Sequence, residues 1–162
     1  MGAIIEIKDT DSRGSLSVEL KHILELLTPV GHQLSWAILD LYATGDLGEG
    51  KNILDLEQKI QQSPEGLSTS WDELVSLSLG FFEIIDTVIV GYKDPNYRPK
   101  LSPNHRIEEL YRSCEIVIEL IDASLWSIYA RDDEMIQRFQ LAFHDVMILK
   151  PPFKGEKGRA KD

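Results

Sequence analysis

Apolar and polar positions alternate most cleanly between Glu115 and Asp122, where Ile116, Ile118 and Leu120 fall on one side and Glu115, Val117, Glu119 and Ile121 on the other. A period of two marks a half-buried strand. After the polar break Asp122-Ala123-Ser124 the run resumes as Leu125-Trp126-Ser127-Ile128-Tyr129, which predicts a second strand over 125–131. Asp132, Asp133 and Glu134 then place acids where the first turn of a helix leaves N–H groups unpaired, and Ile136, Phe139, Phe143 and Val146 follow at helical spacing. The two strands and the helix make the clearest unit in the chain.

The same reading from the start gives a strand over 3–8, turn formers over 9–14, and a helix carrying Leu16, Leu20, Ile23, Leu24 and Leu27, with Ser15 as N-cap and Thr28-Pro29 as its stop. Residues 34–43 carry apolar side chains on both faces, as a strand in mid-sheet does. A glycine-rich loop leads into a helix from Asn52 with Ile53, Leu56 and Ile60 inward, ended by Ser63-Pro64. Ser70-Trp71-Asp72-Glu73 has the spacing of a capping box, and the helix it opens keeps Leu74, Leu77, Phe81, Ile84 or Ile85, and Val88 on one face as far as Gly91. The β-branched run Ile84–Val90 also suits a strand, and the helix is the preferred reading. Pro95, Pro99 and Pro103 make Lys93–Arg106 a loop, the one basic stretch of the body. The resulting expectation is an α+β fold. Residues 1–149 form a single domain with a mainly antiparallel four-stranded sheet (3–8, 34–43, 115–122, 125–131) and helices packed on one face, and 150–162 form a flexible basic tail.

Charge sharpens this picture. The net charge is −10, yet five of the 17 Lys and Arg lie in residues 150–162 beside two of the 27 acids, leaving 12 basic against 25 acidic side chains before them. Such a body repels phosphate backbones and favours basic partners, which argues against direct nucleic-acid binding. No apolar run reaches the ~20 residues that cross a bilayer, and Met1-Gly2-Ala3 lacks the basic start of a signal peptide, so a cytoplasmic protein without membrane attachment is expected. The single cysteine, Cys114, fits a reducing compartment and reads as a small buried hydrophobe.

Several motifs suggest chemistry and fall short of it. Gly45-Asp46-Leu47-Gly48-Glu49-Gly50-Lys51 has phosphate-loop spacing between a strand and a helix, but Asn52 offers no hydroxyl for Mg²⁺, and Asp46 and Glu49 set carboxylates where a phosphate would lie. Asp9-Thr10-Asp11 after the first strand resembles the opening motif of haloacid-dehalogenase-type phosphatases over about six residues, with Arg13 where a small or β-branched residue is expected. The alternative function these motifs define is a small Mg²⁺-dependent phosphate- or nucleotide-handling enzyme. His22, His32, His105 and His144 lack zinc-ligand spacing, and no G-x-S-x-G elbow occurs. Glu115 and Glu119 share a strand face of the kind water solvates.

Residues 43–86 hold nine acids and only Lys51 and Lys59, with Trp71 among them. An aromatic anchor ringed by carboxylates is the composition of a hot spot for a basic surface. Trp36 with Gly45-Asp46-Leu47-Gly48, Leu56-Glu57, Ile60, Ser63, Gly66, Ser70–Leu74 and Ile84-Ile85-Asp86, and more weakly Glu119–Trp126, resembles a pattern in small bacterial proteins grouped with toxin-immunity proteins. That resemblance implies a cytosolic domain that neutralises a basic toxic partner by binding it, and it carries over no catalytic residue. The functional expectation is therefore a binding or inhibitory protein, not an enzyme. It would use Asp46, Glu49, Trp71, Asp72 and Asp86 against a basic protein, with no cofactor and no metal, and self-association stays open.

Overall fold

A computed structural model describes residues 2–101 and 107–151. The elements run β1 (Ala3–Ile7), α1 (Leu20–Gly31), β2 (Ser35–Gly45), α2 (Ile53–Gln61), β3 (Leu67–Thr69), α3 (Trp71–Gly80), β4 (Phe81–Tyr92), α4 (Ile107–Ser113), β5 (Ile116–Ile121), β6 (Leu125–Ala130), α5 (Asp133–Ala142) and β7 (Val146–Leu149). All seven strands belong to one sheet of order β3-β2-β4-β5-β6-β1-β7, and every neighbouring pair is antiparallel. The fold is α+β, as the alternation predicts. The sheet has seven strands instead of four, and helices lie on both of its faces.

The larger core packs α1, α3 and α5 against Ile5, Ile7, Trp36, Ile38, Ile89, Ile118 and Ile128. On the opposite face α4 brings Leu110 and Tyr111 onto Ile4, Val88, Val90, Val117 and Tyr129. The helices-on-one-face expectation missed α4, because Ile107–Ser113 is too short to show a helical period and directly follows the proline loop.

Residues 70–91 divide into a helix and a strand instead of forming one helix. The helix opens where the capping box places it, with Glu73 N–H donating to Ser70 Oγ at 3.1 Å and Ser70 N–H to Glu73 Oε1 at 3.2 Å. It ends at Gly80, and Phe81–Tyr92 is a long central strand between β2 and β5. A strand buried on both faces loses its alternation, so its apolar positions satisfy a helical period as well. The change of element needs glycine: a Cβ on Gly45 would overlap the Gly80 carbonyl and one on Gly80 would meet Asp46 O at 2.6 Å, while Asp46 N–H donates to Gly80 O at 2.8 Å.

Boundaries also move at both ends. The first helix starts at Leu20, not 16, and Pro29 lies inside its last turn, where its missing N–H removes one bond without breaking the helix. The last helix stops at Ala142, and Val146–Leu149 becomes β7 against β1. Most of the tail expected over 150–162, namely 152–162, and part of the expected proline loop, 102–106, lie outside the described residues.

The margins of the sheet differ. Along β2, beyond the three residues of β3, α2 takes the place of a strand, and Ala43 N–H donates to Glu57 Oε2 at 2.9 Å. At the other margin, among the described residues, β7 pairs only with β1 and leaves Met147, Ile148 and Leu149 exposed.

Candidate binding surface

The sequence-predicted residues do not converge. Trp71, expected as an exposed anchor, is 5 % exposed. Its ring lies 5.2 Å from that of Trp36 and so close over Gly31 that a Cβ there would overlap it, and Trp36 Nε1–H fixes the cluster by donating to Gly31 O at 2.8 Å. A capping box sets where a helix starts and leaves open which face it buries. Asp72 sits at the start of α3, bonded to His32 Nε2 at 2.9 Å. Asp46 lies at the other end, bonded through its N–H to Gly80, and the ten residues of α3 put roughly 15 Å between those ends. Glu49 is exposed between Gly48 and Gly50, both at positive φ. Asp86 belongs elsewhere: its Oδ1 accepts from Asp122 N–H at 3.0 Å, and with the Ala123 N–H to Ile85 O bond it holds the β5–β6 turn, where Asp122 and Ala123 adopt φ of 49° and 56°.

The two acids of the phosphate-handling alternative are bound into the fold. Asp9 accepts from His144 N–H at 2.8 Å and Asp145 N–H at 2.7 Å, tying the end of β1 to the start of β7. Asp11 Oδ1 accepts from Arg13 and Ser15 N–H and closes its own turn. The strand before Gly45–Lys51 lies in an antiparallel sheet, unlike the parallel βα setting of phosphate loops. Among the described residues no group of three or more His, Cys, Asp and Glu is placed to hold a metal ion, and no helix is long and apolar enough to cross a membrane. Cys114 is buried. Of the basic loop, Arg98 pairs with Glu65 at 3.7 Å and Lys93 with Glu115 at 3.9 Å.

The sheet register brings together a set that linear spacing does not show. Met147 stands opposite Glu6, Glu6 opposite Ser127, Ser127 opposite Glu119, Glu119 opposite Val88, and Val88 opposite Asp40. Directly opposed residues share a face. This face is the one α4 covers only in part, so Glu6, Glu119 and Asp40 lie in one row across five strands, on the order of 19 Å at the usual strand spacing. In the adjoining rows Asp86 stands opposite Tyr42, Glu83 opposite Thr44, and Ile121 opposite Leu125. Tyr42 is 55 % exposed. At the inner limit of the surface, burial first, and then the charges of Glu119, Glu108 and Glu6, raise the Tyr111 hydroxyl above its usual range, while a hydrogen bond with Ser127 acts the other way. The charges of β1, α4 and β5 thus all bear on one phenol.

The arrangement can attract cations and seat an amphipathic cationic side chain on Tyr42. One signal for it was present in the sequence, Glu6 within 3–8 and Glu119 within 115–122, but their alignment depends on a register that only the paired strands define. No family model, curated protein or solved structure matches this chain.

Proposed function

We propose that this chain is a binding protein whose open sheet face receives a basic protein surface. The observation that carries the reading is the row Glu6–Glu119–Asp40, flanked by Asp86 and Glu83 and by the exposed ring of Tyr42. A rigid sheet presents these carboxylates without a large ordering cost on binding, and their field steers a cationic partner. This keeps the partner chemistry expected from the acidic composition and moves the site from the Trp71 region to the sheet. An inhibitory role of the kind the toxin-immunity resemblance implies is consistent with it, and catalysis has no part in it.

The test is a titration with deca-arginine and deca-lysine peptides, with deca-glutamate as control, by calorimetry at several salt concentrations. Saturable binding of the basic peptides should weaken as the screening length falls from ~10 Å at 0.1 M salt toward ~3 Å at 1 M. Glu6→Gln with Glu83→Gln should weaken it further, and Glu49→Gln with Asp72→Asn, away from this face, should leave it unchanged. Equal weakening by both pairs would reduce the effect to overall acidity and refute the assignment.

A further inference from the structure

A second concavity opens on the other face of the sheet, between α2, α3 and β3, with a volume of about 370 Å³. This is within the range of small-molecule sites. Its floor contains Thr69, which stands opposite Trp36 and so points toward the same face as the main core. Thr69 is 9 % exposed, and its Oγ1 is buried without a hydrogen-bond partner among the described residues. Buried hydroxyls are nearly always bonded, and an orphan signals a missing water, ion or ligand atom. Lys51 and Lys59 stand at the rim. Neither makes an ion pair among the described residues, although the chain carries a net charge of −10. Of the two carboxylates on the same rim, Glu73 is held by the Ser70 N–H and Asp55 lies in the first turn of α2, where the helix end offsets its charge. Leu56, Leu67 and Leu77 supply apolar wall.

We propose that this pocket binds a small organic anion with an apolar body. The anionic group lies between the Lys51 and Lys59 ammonium groups, rotation of the Thr69 side chain turns its buried hydroxyl into the pocket to donate to that group, and the body packs on the three leucines. Two cations recognise negative charge, the unpaired hydroxyl adds a donor once turned toward it, and the leucine wall excludes a bare inorganic ion as the preferred occupant. The site lies on the opposite face of the sheet from the acidic surface, and neither depends on the other.

The probe is 8-anilinonaphthalene-1-sulfonate, titrated into the full chain by fluorescence, with uncharged N-phenyl-1-naphthylamine beside it. The expected result is saturable binding at one site, with the uncharged probe at least about tenfold weaker, the loss of one charge-assisted contact. Lys51→Gln/Lys59→Gln should weaken the sulfonate by about tenfold or more, and Thr69→Val, which keeps shape and removes the donor, by roughly three- to tenfold. Lys21→Gln, on α1, should leave the affinity unchanged. Binding that does not saturate, that treats the two probes alike, or that ignores both the lysine pair and Thr69→Val overturns the proposal. Should Thr69→Val fail to fold, the lysine pair and the charge comparison decide alone.

Discussion

Gly31→Ala should destabilise this protein through a single ring. Gly31 closes α1 with no need for positive φ, so helix propensity alone favours Ala there by roughly 0.5–1 kcal/mol. Against that gain, the added Cβ overlaps Trp71, which is buried and packed at a tilt against Trp36. Overpacking of this kind costs about 1–3 kcal/mol, and disturbing the aromatic pair adds about 0.5–1.5. The net loss is about 2 kcal/mol, or roughly 4–8 °C in Tm for a chain of this size. Urea unfolding followed by tryptophan fluorescence, with calorimetry for Tm, measures it. Gly14→Ala is the control, since nothing lies within 4 Å of its Cβ and only its φ of +81° opposes the change, at about 1 kcal/mol. Trp71→Phe in the Gly31→Ala background should recover part of the loss by shrinking the ring. If Gly31→Ala equals or exceeds the parent in stability, Trp71 does not occupy the space over Gly31, and its place in the core, which excludes it as an exposed anchor, is wrong.

Three further outcomes follow from local chemistry. Thr69→Val should raise Tm by about 2–4 °C in ligand-free protein, because removing an unbonded buried hydroxyl relieves about 1 kcal/mol or more, and a fall would show that Oγ1 is satisfied. Ala123→Gly should stabilise by about 0.5–1 kcal/mol in urea titrations by relieving φ of 56°, even after glycine's entropy is counted. Burial pushes the Cys114 thiol from 9.0 up to about 12, so it should resist a disulfide reagent at pH 8 until urea unfolds the chain. Because its folded value is raised, the stability it contributes is full below about pH 9 and is lost as pH climbs toward about 12, and pH-dependent unfolding across that window checks the sign.

Much of the scaffold could be read from the chain where burial is one-sided. The hairpin of β5 and β6, the first strand, the helix after Asn52 and the Ser70–Glu73 cap each write their geometry into local spacing, and the structure places them within a few residues of expectation. β4 escaped because its second half, Thr87–Tyr92, is covered on both faces, which erases the polar positions that separate a period of 2 from 3.6. β7 escaped because four residues are too few to interrupt the helical series Ile136, Phe139, Phe143, Val146. The candidate site failed for another reason. Local acid density located charge along the chain, whereas Glu6, Glu119 and Asp40 become neighbours only through pairings between strands distant in sequence.

The unlike margins of the sheet bear on how far assembly through backbone pairing can proceed. A sheet with two receptive margins adds copies without end, since each newcomer brings a fresh margin for the next. Here the Glu57 carboxylate already occupies an N–H of β2 that an incoming strand would need, and β3 offers three residues, so growth has only the β7 side to use. Two copies joined there about a two-fold axis would consume each other's free strand and leave none for a third. Pairing of this chain with itself would terminate at the dimer, since among the described residues the sheet that exposes Met147, Ile148 and Leu149 offers no second full-length acceptor of the kind a fibre requires.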